Sequence, residues 1–170
     1  MFFLLDREDK VEVSPNSFGK GIKKKISEAL KEKVEGRCTG RYGYTILVAR
    51  IMDIRPGRLD VVTGNAHFGV VYQAIVFKPY KNEVLPTEVA VVTEQGFWCN
   101  AGPLEIFVSC EAIPKEFVFN PTDKEFFSKD EEKLIRKGSR CRVRILGMTV
   151  DADRIMTVGT MNGAYLGTDQ

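Results

Sequence analysis

The chain has 170 residues, 44% of them hydrophobic and 28% charged, which excludes a disordered tail and allows one large domain or two small ones. Its formal net charge of +2 is too small for a protein that coats nucleic acid by bulk attraction, so any such contact has to come from a local patch.

The start, MFFLLDREDK, holds too short an apolar run for a signal peptide or a membrane span, and an intracellular soluble protein is expected. Phe2–Leu5 is apolar, and Val11 and Val13 alternate with Lys10, Glu12 and Ser14, which reads as two short strand pieces. Ser14-Pro15 offers a helix start, with serine as cap and proline at a first-turn position that needs no donor. Ile22, Ile26 and Leu30 recur at helical spacing, Ala29 and Val34 widen the stripe, and Lys23, Lys24, Lys25, Lys31 and Lys33 fall mostly off it. Gly36 marks the stop. Tyr42–Ile51 and Val70–Phe77 are β-rich, and the segment between them, with Pro56, Gly57, Gly64 and Gly69, reads as a loop passing through a short strand at Leu59–Val62.

The polar segment KPYKNEVLPTE, Lys78–Glu88, suits a junction and divides the chain into domains 1-80 and 81-170. Beyond it Val89–Thr93, Phe97–Asn100, Leu104–Ser109, Arg140–Val150 and Arg154–Thr160 are strand candidates separated by turn residues. The expected class is α+β: an N-terminal helix-on-antiparallel-sheet domain followed by a C-terminal five-stranded OB-fold barrel. The aromatic and charged insert Pro114–Ser139 has no pattern that assigns it a structure.

Three features bear on chemistry. RCRVRIL alternates Arg140, Arg142 and Arg144 with Cys141, Val143 and Ile145, so three arginines line one strand face, either as a phosphate-binding track or as a solvated face that discourages edge pairing. Phe97 and Trp98 are neighbours on a strand and must point to opposite faces, so one large aromatic faces outward. An exposed tryptophan serves either as a platform for a stacked base or as the seal of a protein interface. Against enzymatic chemistry, His67 is the only histidine, Asp151-Ala152-Asp153 sits where a hairpin turn is expected, and no glycine-rich phosphate loop or nucleophile elbow is present. The widely spaced Cys38, Cys99, Cys110 and Cys141 read as buried free thiols, and no metal or other cofactor is expected.

VEGRCTGRYGYTILV (Val34–Val48) and YQAIVFKPYKNEVLPTEVAVVTEQGFWCNAGPLEIFVSCEAIP (Tyr72–Pro114), together with the opening MFF, the SFG at Ser17–Gly19 and the GAYLG at Gly163–Gly167, closely resemble the family of the seventh subunit of eukaryotic RNA polymerase II. The archaeal polymerase counterpart and the equivalent polymerase III subunit are similar at a greater distance. The resemblance implies a nuclear, non-catalytic stalk subunit that supports transcription initiation. Its N-terminal domain would pair with the fourth subunit and plug its tip into the core polymerase near the clamp, and its barrel, of the S-one type, would bind emerging single-stranded transcript.

Carried over by residue, the tip corresponds to Ser17, Phe18, Gly19 and Lys20 and to the loop Ile54–Gly64, with Ile54, Pro56, Gly57, Arg58 and Gly64. The second barrel strand of RNA-binding relatives, Phe-Gly-Ala-Phe-Val, is matched by Gln95, Gly96, Phe97, Trp98 and Cys99, so Trp98 keeps the second aromatic and Gln95 replaces the first. A histidine usual on the third strand is matched by Ser109, and an acidic and basic pair near the last hairpin by Asp151 and Arg154. The implied RNA-binding set is Trp98, Lys81, Asp151 and Arg154, with Arg140, Arg142 and Arg144 as further candidates. The competing class is a free single-stranded RNA-binding module, such as a translation or RNA-decay factor, which would be a stable monomer without a partner.

Overall fold

The first residues form one strand, β1 (Phe2–Val13), rather than two short pieces. The charged residues that interrupt its apolar pattern find partners on other strands of the same sheet. Gln73 Nε2 donates to Asp6 at 2.8 Å, Arg7 Nη1 donates to Thr45 Oγ1 at 3.1 Å, and the Tyr72 hydroxyl donates to Asp9 at 2.5 Å. The computed structural model describes residues 1–128 and 133–168, and the chain divides into two units, one ending at Lys78 and one beginning at Pro79.

In the first unit Ser14-Pro15 does not start the long helix. Pro15–Ser17 makes a single 3-10 turn, and helix α1 (Ile22–Val34) begins after Gly21, whose φ of 100° places it in the left-handed region and which offers no side-chain cap. The strands β2 (Cys38–Thr39), β3 (Gly43–Ile54), β4 (Arg58–Leu59) and β5 (Ala66–Phe77) complete a sheet of order β1-β5-β3-β2, antiparallel throughout, with β4 paired to β5. The valines of the segment read as a strand at Leu59–Val62 leave it at Leu59 and enter a turn. The helix sets Ile26, Leu30 and Val34 on Val11, Val13, Val48, Val70, Tyr72, Ala74 and Val76. Truncating a fully buried residue of this layer, such as Leu30 at 0% exposure, costs about 2–5 kcal/mol.

The second unit is built on β6 (Val84–Thr93), β7 (Gly96–Ala101), β8 (Leu104–Ser109), β12 (Arg140–Val150) and β13 (Ile155–Thr160). Antiparallel pairs β6–β7, β7–β8, β12–β13 and β12–β6 and the parallel pair β13–β8 close these five into a barrel, the OB arrangement. Inside lie Val89, Phe97, Cys99, Leu104, Ile106, Val108, Cys141, Val143, Ile145 and Ile155. The insert between β8 and β12 folds as a small antiparallel sheet, β9 (Phe117–Asn120), β10 (Glu125–Ser128) and β11 (Leu134–Ile135), in order β11-β10-β9; residues 129–132 of the insert lie outside the described residues. A last strand, β14 (Gly167–Thr168), pairs with Cys141 and Arg142. The helix-on-sheet unit and the five-stranded barrel are the expected α+β class.

None of the four cysteines is in a disulfide. Cys99 and Cys141 are buried, whereas Cys38 is half-buried and Cys110 exposed, which corrects the reading of all four as buried. The hydrogen bond with Cys141, followed by burial, pushes the Cys99 thiol far above its ordinary range, so it stays protonated in the barrel core.

Candidate nucleic-acid interface and docking tip

Strict alternation on β7 buries Phe97 and Cys99 completely and leaves Trp98 42% exposed between them. The turn before it needs Gly96, because φ is 144° and a Cβ there would run into the Val108 carbonyl oxygen. Directly across on β8 stands Phe107, and the two rings meet at 4.8 Å between centroids with planes tilted 45°. Ser109 pairs instead with Gly96, one row further along, so the residue facing Trp98 on the third strand is aromatic. The same row runs from Val91 on β6 through Trp98 and Phe107 to Val158 on β13. Val91 is 52% exposed and Val158 46%, which makes the row an apolar band. The next row carries Glu88, Asn100 and Glu105, two carboxylates, and reaches a cation only at Arg140, across from Glu88 on β12.

The cations lie elsewhere. Cys141, Val143 and Ile145 point inward at 0% exposure, so Arg140, Arg142 and Arg144 face out from β12, opposite Glu88, Pro86 and Val84 of β6. Lys81 extends that line: the Asn82 amide donates to the Ile145 carbonyl at 2.8 Å and the Ile145 amide to the Glu83 carbonyl at 2.9 Å. Arg144 is half-buried, with Nη1 3.8 Å from the position of a Cβ on Gly163. Arg140 is the member nearest the aromatic pair, two strands and two residues from Trp98, or about 12 Å between Cα atoms from strand geometry. Asp151 and Arg154 form the β12–β13 turn, where the Asp151 amide donates to the Arg154 carbonyl at 2.9 Å and the Ala152 amide to the Asp151 carboxylate at 2.9 Å. Arg154 is four residues from Val158, about 13 Å along β13. Of the candidate RNA contacts, then, Lys81 joins the arginine line, while Trp98 and the Asp151–Arg154 turn stand apart from it and from each other.

In the first unit the two candidate docking segments come together. The Gly64 Cβ position lies 3.6 Å from Pro15 Cγ, and the Asn65 side-chain amide donates to Glu12 at 2.6 Å, which joins the loop after β4 to the turn preceding Phe18, Gly19 and Lys20. Ser17 is half-buried, and Phe18 and Lys20 are exposed. Ile54 packs on the core at the end of β3, and Pro56 is exposed. Gly57 makes room for the Phe68 ring, whose nearest atom is 2.5 Å from where a Cβ would stand, and Arg58 pairs with His67 in β4. The tip itself is organised by Asp60, whose carboxylate accepts from the Val62 amide at 2.9 Å and the Thr63 hydroxyl at 3.0 Å. Those two bonds hold its carboxyl below the ordinary value. The turn lifts Val61 and Val62 out to 91% and 94% exposure, with Leu59 beside them at 62%.

Phe107, Val61 and Val62 escape a reading of the sequence alone. The register that sets Phe107 across from Trp98 is absent from a single strand's pattern, and two adjacent valines look like strand until the Asp60 side chain is seen bonding Val62 and Thr63.

A family model for the SHS2 domain found in the N terminus of Rpb7p/Rpc25p/MJ0397 matches residues 8–64. The DNA-directed RNA polymerase II subunit RPB7 of Glycine max is 36% identical over 168 residues, 98% of this chain and 96% of that one. Subunit rpb7 of Dictyostelium discoideum is 38% identical over 169 residues, 98% of each chain. The archaeal DNA-directed RNA polymerase subunit Rpo7 of Saccharolobus shibatae is 24% identical over 170 residues, 98% of this chain and 94% of that one. With 36–38% identity to eukaryotic subunits over nearly the full length of both chains, the chain belongs to the Rpb7 family of DNA-directed RNA polymerase subunits.

Proposed function

We propose that the chain is a non-catalytic stalk subunit of RNA polymerase II in the nucleus, supporting initiation. Its first unit pairs with the fourth subunit and inserts its tip into the core enzyme near the clamp, and its barrel meets single-stranded nascent RNA. The observation that carries the reading is the tip of this polymerase-family chain: Val61 and Val62, 91% and 94% exposed, on a turn held by its own hydrogen bonds. Such a turn enters an apolar pocket with little ordering cost, because its shape is set beforehand. Ser17, Phe18, Gly19, Lys20, Ile54, Pro56, Gly57, Arg58 and Gly64 shape or flank it.

On the barrel, bases stack on Trp98 and Phe107, and the backbone crosses β6 toward Arg140 and then Arg142, Arg144 and Lys81; Asp151 and Arg154 contact a strand that extends along β13. Glu88 and Glu105 keep this contact weak, which suits an exit path that must release the transcript. Co-expression with and without the fourth subunit tests the function: a soluble dimer with the partner and a poorly behaved chain without it are expected. A stable monomer indifferent to the partner returns the chain to the free RNA-binding class.

The apolar band that continues from Trp98 to Val158 favours a second reading of the barrel face as a protein-binding surface. An RNA affinity unchanged by Trp98→Ala assigns the band to that use.

A further inference from the structure

The motif GAYLG at Gly163–Gly167 has no part in the contacts described so far. It follows β13, and its last residue begins β14, where Gly167 pairs with Arg142 of β12. The Leu166 amide donates to the Gly163 carbonyl at 3.3 Å, which closes a turn with Ala164 and Tyr165 at its centre. Tyr165 holds the third position with a φ of 64°. A turn ordinarily places glycine or asparagine in this left-handed conformation, because a bulky side chain meets steric resistance there. Nothing inside the molecule offsets that resistance. The ring is 91% exposed and makes no hydrogen bond or ring contact among the described residues.

Beside the turn lies a cation that also lacks a partner. Arg144 Nη1 is 3.8 Å from where a Cβ on Gly163 would stand, so the guanidinium rests against the turn. Arg144 is half-buried, yet its guanidinium has no hydrogen-bond or ion-pair partner among the described residues. A partly desolvated guanidinium without a counterion is a seat for an anion from outside.

Together the two groups select their occupant. An exposed ring and an unpaired guanidinium on one turn match the two halves of a nucleotide, base and phosphate. Arg140 and Arg142 lead up to the turn along the outer face of β12, with about 6.6 Å from one arginine to the next by strand geometry. Such a repeat suits a polyanion with regularly spaced charges better than a single acidic side chain of a protein.

We infer that Tyr165 and Arg144 form a second nucleotide subsite on the barrel, at the end of the arginine line away from Trp98. Arg144 takes a phosphate of single-stranded RNA, and the Tyr165 ring stacks on the adjoining base. The inference rests on the proposed RNA contact and extends it to a residue outside the β7–β8 face.

The test uses the full chain co-purified with the fourth subunit and a labelled oligouridine read by fluorescence anisotropy. Tyr165→Gly should lower the affinity about fivefold or more while holding or raising the melting temperature, because glycine adopts this φ without steric resistance. Tyr165→Phe, which keeps the ring, should bind within about twofold of the unaltered chain. Arg144→Gln should weaken binding at low salt, and its combination with Tyr165→Gly should lose less than the product of the single losses, since one nucleotide joins both side chains. An affinity unchanged by Tyr165→Gly, or a loss as large for Tyr165→Phe, overturns the subsite; the RNA contact then stands if Trp98→Ala still lowers the affinity. A Tyr165→Gly chain that keeps its RNA affinity but loses the fourth subunit overturns the subsite in favour of a protein contact. Absence of oligouridine binding by the unaltered complex overturns both.

Discussion

Trp98 and Phe107 touch, at 4.8 Å between ring centroids, and on the proposed reading they form one platform. Trp98→Ala should lower single-stranded RNA affinity several-fold, in line with a stacking contribution of about 1–3 kcal/mol per base. Phe107→Ala should do nearly as much, and the double variant less than the sum, since each ring orients the other. Fluorescence anisotropy with an oligouridine reads all three; full additivity would mean separate sites. The neighbouring carboxylate supplies a test of opposite sign: Glu105→Gln removes a repulsion from the passing phosphates and should raise affinity about two- to threefold at low salt, less at high salt. Unchanged affinity would place the phosphates away from β8. That one of Phe97 and Trp98 faces outward was legible in the sequence, because alternation needs no knowledge of neighbours. The platform's other half was not, since a cross-strand partner depends on register, which the hairpin turn at Gly102 and Pro103 sets.

At the scale of elements, the tip is a turn whose order depends on one carboxylate. Asp60 is held below the ordinary carboxylate value, so its contribution is fully present above that value and is lost as pH falls through the lowered one. Docking should therefore be flat from neutral to mildly acidic pH, and the Val62 amide resonance should move only in strong acid; a transition near neutrality would point to another group. Val61→Ser with Val62→Ser should cut co-purification with core polymerase about tenfold or more while leaving the melting temperature of the isolated chain unchanged, because both side chains are already in solvent. Gly57→Val acts differently, since it displaces the Phe68 ring, and should lower stability and docking together. The barrel strands were readable from alternation. β1 as one strand was not, because Asp6, Arg7 and Asp9 look like turn residues until Gln73, Thr45 and Tyr72 satisfy them from residues far along the chain. The helix start at Ile22 escaped for a related reason: Ser14-Pro15 carries a cap's chemistry, but the chain spends it on a 3-10 turn.

For the whole molecule, the two units have separate cores and separate surfaces, one an apolar tip and one an aromatic pair with a basic line. Their partners should be separable by mutation. The tip double variant should bind oligouridine with the wild-type affinity, and Trp98→Ala should still co-purify with core polymerase. The RNA contact should also carry its own salt signature. If Arg140, Arg142 and Lys81 each neutralise a phosphate, the logarithm of the affinity should fall against the logarithm of salt concentration with a slope of about −2, from about −0.7 per single-strand phosphate. Replacing Arg140 with glutamine should remove about one phosphate from that slope while leaving base stacking at Trp98 intact, so affinity at high salt changes little. A slope near zero in the wild type would mean that the arginine line carries no phosphates and that the barrel's apolar band faces protein.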